Sequence, residues 1–143
     1  MAETPPARFT YLSGAALAIA LSGPIFVVIL AIGWTVQNLA ESDTQRIGIA
    51  LLLMTLPIAF AIGAILSALP ILIGGWAMGK AGWRYPRTRH PLIWAIAGAL
   101  LATIPAAPMD FTDEPSMLAT AMLTGAICAS IVRYFTRWSD DSV

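Results

Sequence analysis

Apolar residues run through this chain in four long blocks, and the charged residues fall between them. No Asp, Glu, Lys or Arg occurs in residues 9–40, 47–79, 91–109 or 115–132. A helix crosses the hydrocarbon core of a bilayer, roughly 30 Å, in about 20 residues, with a range of about 17–25. All four blocks meet that length. Lipid offers the backbone no hydrogen-bond partner, so such segments satisfy their own polar groups as helices. Strands of an outer-membrane barrel are shorter and alternate in polarity. Neither "PIFVVILAIGW" nor "GIALLLMTLPIAFAIGAIL" alternates. The pattern therefore predicts an all-α integral membrane protein: four transmembrane helices in one compact bundle, forming a single membrane domain over residues 1–143.

The expected spans are about 11–36, 47–69, 91–109 and 115–135. Between them lie a cytoplasmic loop at 79–90 and outer loops at 40–46 and 106–116, with short polar tails at 1–9 and 136–143. The first apolar run, Tyr11 to Val36, outlasts the roughly 7–15 residues of a cleaved signal peptide, so it reads as an uncleaved signal anchor. The second block, at 33 residues, would make a straight helix of about 50 Å, too long for one crossing and too short for two. Pro57 and Pro70 each remove a backbone donor and can bend a helix, so both are expected kinks. Residues 70–83, "PILIGGWAMGKAGW", are then expected to bend toward the inner interface, loosened by Gly74 and Gly75. Pro91 and Pro115 suit the first position of a helix, where a missing N–H costs nothing. The third helix is expected to end near Ile104, before "PAAPMDFTDEP".

Charge gives the direction. Cytoplasmic loops of membrane proteins are enriched in Lys and Arg. With both termini cytoplasmic, the inside segments hold Arg8, Lys80, Arg84, Arg87, Arg89, Arg133 and Arg137, and the outside loops hold only Arg46. Tyr11, Trp76, Trp83, Tyr85, Trp94, Tyr134 and Trp138 fall near the inner boundary and Trp34 near the outer one, as an aromatic belt would. The expected location is the cell membrane, in a multi-pass arrangement, with the bacterial inner membrane the specific reading. Within "KAGWRYPRTRHP", residues 80–91, Lys80, Arg84, Arg87 and Arg89 form the topological anchor and the expected contact with anionic lipid headgroups. Such a short loop has no module for reading nucleic acid, so none is expected as a partner.

Composition agrees. Apolar residues make up 58% of the chain and charged ones 11%, with mean hydropathy +0.77, against about 25% charged in soluble domains. Helices in lipid associate by close packing of small residues. Each span carries such a stripe: Gly14, Ala18 and Ser22; Gly63 and Ser67; Gly98 and Ala102; Ala121, Gly125 and Ala129. The stripes predict packing within a bundle, and a second copy of the chain or another membrane protein is a candidate partner. "PIAFAIGAIL" resembles "PLIWAIAGAL" through composition alone, since their prolines occupy different places in the spans.

Chemistry is sparse. The spans hold no ionisable side chain of the kind that marks ion pathways and proton relays. Cys128 is the only cysteine, which excludes a disulfide within the chain and a dithiol redox pair. His90, the only histidine, has no Ser, Cys or carboxylate in its own segment to form a triad or ligand set. Asp110, Asp113 and Glu114 offer oxygens to a hard cation, but read more simply as a solvated loop favouring the dipole of the following helix. No catalytic residue, metal or cofactor is therefore expected, and the chain is not read as an enzyme. The function expected is that of an accessory or structural subunit acting by helix association. The alternative is a small permease or channel for a neutral or apolar solute.

Overall fold

The structure, a computed structural model, describes residues 9–37, 44–104 and 115–138, with 34, 37, 44–53 and 115 described in backbone alone. The expected outer loops, the polar tails, Arg8, the side chains of Trp34 and Arg46, and the Asp110, Asp113 and Glu114 cluster lie wholly or largely outside these residues.

Four α-helices carry the fold: α1, Leu12–Gln37; α2, Thr44–Arg84; α3, Pro91–Thr103; and α4, Pro115–Phe135. A 3₁₀ turn, Pro86–Arg89, joins α2 to α3. Prolines set these boundaries. The residue before a proline is driven out of the helical region by the ring. Tyr85, before Pro86, has φ −132° and ψ 98°, and α2 ends at Arg84. His90, before Pro91, has φ −68° and ψ 132°. Its ring Nδ1 accepts a hydrogen bond from the Leu92 N–H at 3.3 Å, so the lone histidine caps α3.

The all-α class holds, with one small addition. Two-residue strands, β1 at Phe9–Thr10 and β2 at Arg137–Trp138, pair antiparallel, Phe9 against Trp138 and Thr10 against Arg137. The flanks of the first and last helices therefore meet at one end, where the 85–90 turn also lies. Lys80, Arg84, Arg87, Arg89, Arg133 and Arg137 all belong to this end. It is called the basic end below.

Helix α2 does not end with the expected span at residue 69. It continues as one helix of 41 residues to Arg84, about 60 Å long. Both Pro57 and Pro70 lie inside it, and α1 likewise runs through Pro24. Gly74 and Gly75 also lie inside α2. They are points of close approach, where an added β-carbon would lie 2.8 Å from Leu101 Cδ1 and 2.9 Å from Tyr11 Cδ2. The expected loop at 79–90 accordingly begins only after Arg84. Among the described residues three helices are long and apolar enough to cross a membrane, within Leu12–Gly33, Met54–Arg84 and Ser116–Phe135, and the expected third span, 91–109, extends past the described part of α3. The 13 residues of α3 rise about 20 Å.

Packing follows the glycines. α1 lies against both α2 and α4, and α4 against α3. Where α1 crosses α2, Gly23 faces Ala59 and Gly63, and a β-carbon on Gly63 would fall 2.8 Å from the backbone nitrogen of Gly23. Where α3 crosses α4, Gly98 and Gly125 face one another, and a β-carbon on Gly125 would fall 2.6 Å from Ala102 Cβ. α1 meets α4 at Gly14, beside Phe135 and Val132, and through a core of Ala18, Trp94, Cys128 and Val132. α2 makes only slight contact with α3 and α4. The bundle is thus two tight pairs, α1–α2 and α3–α4, joined through α1 and α4 and open along the side between α2 and α3.

Gly98→Leu should wedge α3 from α4, because the obstructing atoms are backbone and cannot yield. We expect a loss of about 3 kcal/mol, the upper end for overpacking, read as a lower unfolding temperature in detergent. Gly33 has no atom within 4 Å of an added β-carbon, so Gly33→Ala should leave stability unchanged or raise it by about 0.5–1 kcal/mol. Equal tolerance of the two changes would contradict this packing.

Candidate functional site

The open side of the bundle holds a cavity of about 500 Å³. Its floor is α1, at Ser22, Gly23, Phe26 and Val27; α2 forms one wall, from Thr55 to Met78; α3 and α4 form the other. At the basic end the lining finishes at Met78, Trp94 and Val132, and at the far end it reaches Thr55, Ala102 and Thr124. The two glycine crossings account for its shape. They commit α2 to α1, and α3 to α4, and between the pairs α2 meets α3 and α4 only lightly, at Gly74 beside Leu101 and Gly75 beside Val132.

The lining contains no Asp, Glu, Lys, Arg or His. Its polar atoms are largely spent within the protein. The Ser22 hydroxyl donates to the carbonyl of Ile19 at 2.8 Å. Ser67 shares a hydroxyl–hydroxyl hydrogen bond with Ser22 at 2.8 Å and also reaches the Ala64 carbonyl at 3.5 Å. Thr124 donates to the Thr120 carbonyl at 2.8 Å, a common use of a hydroxyl within a helix. The Cys128 thiol is buried and points at the Ala18 carbonyl, 3.8 Å away. Among the described residues no buried side-chain nitrogen or oxygen lacks a partner. A polar guest would leave its water without equivalent bonds in return, whereas an apolar guest loses nothing. The arrangement is chemically suited to apolar molecules.

At the basic end the cavity is closed by a cluster around Trp138. Its indole Nε1 donates to the carbonyl of Gly79 at 3.1 Å, and its ring lies against Gly82, where a β-carbon would come within 2.8 Å of Cζ2. The guanidinium carbons of Arg89 and Arg133 lie 5.0 Å and 4.7 Å from the ring centroid, within cation–π range. Arg89 Nε donates to the Gly82 carbonyl at 2.9 Å, and Arg133 Nε donates to the Arg89 carbonyl. Trp94 meets Trp138 edge-on with centroids 6.4 Å apart, and donates from Nε1 to the Thr88 carbonyl at 3.0 Å. This cluster ties the ends of α2 and α4, the 3₁₀ turn and the start of α3 together.

The residues singled out from the sequence are thereby separated. Lys80, Arg84 and Arg87 are exposed on the surface of the basic end, with the Lys80 ammonium 5.1 Å from the Trp76 ring centroid. Arg89 turns inward instead, into the Trp138 cluster. Trp94 and Trp138 were expected among the boundary aromatics. However, Trp94 is only 1% exposed and Trp138 is half-buried, because their indoles supply the donors that close the cavity. Gly14, Gly63, Gly98, Gly125, Ala102 and Ala129 sit at helix crossings. Ala18 and Ser22 are buried on α1, Ser67 bonds to Ser22, and Ala121 is half-buried on α4. Pro70 lines the cavity, as do Ile58 and Ala59, the two residues that follow Pro57 on α2. Sequence reasoning missed Gly23, the partner of Gly63, although it directly follows the named Ser22. It also missed Gly79 and Gly82, which seat two different rings, Phe9 against Gly79 and Trp138 against Gly82. Among the described residues no group of His, Cys, Asp and Glu could hold a metal ion.

No protein-family model, no curated protein and no solved structure matches the chain.

Proposed function

We propose that this chain is a multi-pass protein of the cell membrane, specifically a bacterial inner membrane. All four helices, α3 included, lie within the bilayer, and the basic end faces the cytoplasm. Its role is to hold an apolar molecule in the cavity between α2 and the α3–α4 pair, as a carrier or permease of small apolar solutes would. It performs no chemistry of its own. The observation that carries this reading is the cavity's lining: it has no Asp, Glu, Lys, Arg or His, its one thiol, Cys128, is buried, and the hydroxyls of Ser22, Ser67 and Thr124 are already bonded. Its volume of about 500 Å³ lies within the range of about 300–1,000 Å³ typical of small-molecule sites.

A second reading, an accessory subunit acting by helix association, has a different support. Helix α2 carries Ile65, Leu69 and Ile73 exposed on its outer faces, and another membrane protein could cover them. The small-residue stripes no longer argue for it, since those at the two crossings are occupied within the chain.

Two outcomes are expected. A reporter enzyme inserted within residues 84–90 should read as cytoplasmic, and a periplasmic signal would invert the orientation. The protein purified in mild detergent and extracted with organic solvent should release about one apolar molecule per chain by mass spectrometry. Ala97→Phe, which places a ring in the cavity away from the Gly98 contact, should fold and release at least tenfold less. Equal recovery from both proteins, or none from the unaltered one, would refute the cavity as a binding site.

A further inference from the structure

An exposed stripe along α2 runs from the cavity's edge to the cations of the basic end, beside the lining that continues through Pro70, Gly74 and Met78. Ile62 and Leu66 line the cavity. The helical positions that continue their stripe toward the basic end are Leu69, Ile73, Trp76, Lys80 and Arg84, each three or four residues from the last, so they share a face. The apolar members from Leu69 to Trp76 are exposed, and Lys80 and Arg84 are exposed beyond them. The ten residues from Pro70 to Lys80 rise about 15 Å, which is one leaflet's half of a hydrocarbon core of about 30 Å. A molecule lying along this path would be apolar for one leaflet's depth and would meet two positive charges at the surface.

Among the described residues these charges have no acidic neighbour. The described residues include no Asp or Glu, and the sequence has none from residue 44 to residue 109. The Lys80 ammonium sits beside the exposed Trp76 ring, a pairing suited to the headgroup layer. The volume fits the same guest. Counting a methylene as about one water, roughly 30 Å³, the cavity of about 500 Å³ holds on the order of 16 methylenes, one acyl chain. A transmembrane helix is several times larger.

Resting on the reading that the cavity takes an apolar molecule, we propose that its occupant is an acyl chain of an anionic phospholipid from the leaflet at the basic end. Its phosphate is held by Lys80 and Arg84. The lipid enters sideways between α2 and α3, so it needs no opening through the Trp138 cluster.

Native mass spectrometry of the full chain tests this, after equilibration in detergent with equal amounts of phosphatidylglycerol and phosphatidylcholine bearing the same chains. The unaltered protein should retain one phosphatidylglycerol per chain in preference to phosphatidylcholine. Lys80→Gln and Arg84→Gln should each weaken that preference about fivefold, the factor for one basic residue near a membrane surface. Lys80→Arg should preserve it, and millimolar glycerol phosphate should not compete. Ala97→Phe should lose both lipids. Circular dichroism would verify that each variant is folded. Equal retention of the two lipids, unaffected by either Gln variant, would overturn the headgroup assignment but leave the apolar cavity standing. A lipid-free dimer, or retention by Ala97→Phe equal to that of the unaltered protein, would overturn both.

Discussion

The contact of helix backbone on helix backbone at the glycines is the interaction on which this structure depends. Lipid tails are as apolar as leucine side chains, so burying leucine gives helices in a membrane little reason to associate, and close packing has to supply it. Gly23 on Gly63 and Gly98 on Gly125 bring two pairs of helices close enough to touch through main-chain atoms. Gly14 and Ala18 then set α1 against α4. With those faces used, α2 and α3 meet only lightly, as at Gly74 beside Leu101. The open side is therefore a consequence of where the glycines fall, and the cavity follows from the open side.

The basic end supplies the opposing constraint. There the chain's own turns hold α2 and α3 together, and Trp138 locks the arrangement through Gly79 and two arginines. The helix pairs are pinned at one end and free to diverge at the other. The polar cost of burying two indoles is offset by carbonyls placed to accept from both, at Thr88 and Gly79. Basic residues that the chain's charge pattern assigns to the membrane surface thus do two jobs. Lys80, Arg84 and Arg87 face outward, while Arg89 and Arg133 build the closure.

Much of this was legible before any coordinates. Uninterrupted apolar blocks announce helices, and Pro86, Pro91 and Pro115 mark boundaries through local sterics alone. The helical extent of α2 was not legible, because a proline interrupts one hydrogen bond and leaves its helix to be held by neighbours. Pro57 and Pro70 are carried through in this way, as is Pro24. The candidate site was less legible still. Small residues announce that helices will touch, but not which helix meets which, and a cavity is defined by the pair that does not meet. For the same reason Trp94 looked like a boundary aromatic: its burial depends on Cys128 and Val132, more than thirty residues away in sequence.

The central claim is that α2 is welded to α1 and stands apart from α3 across an apolar cavity. Paired cysteines in a Cys128→Ala background test it most directly, by oxidation in native membranes. Ser22→Cys with Ser67→Cys should form a disulfide readily, since the native hydroxyl oxygens are 2.8 Å apart. Ile62→Cys with Ala102→Cys, on opposite walls of the cavity, should resist direct oxidation, because a disulfide needs Cα atoms within about 7 Å, and should join only through a longer bifunctional reagent. If the 62–102 pair oxidised as fast as the 22–67 pair, the bundle would be closed and the account would be wrong.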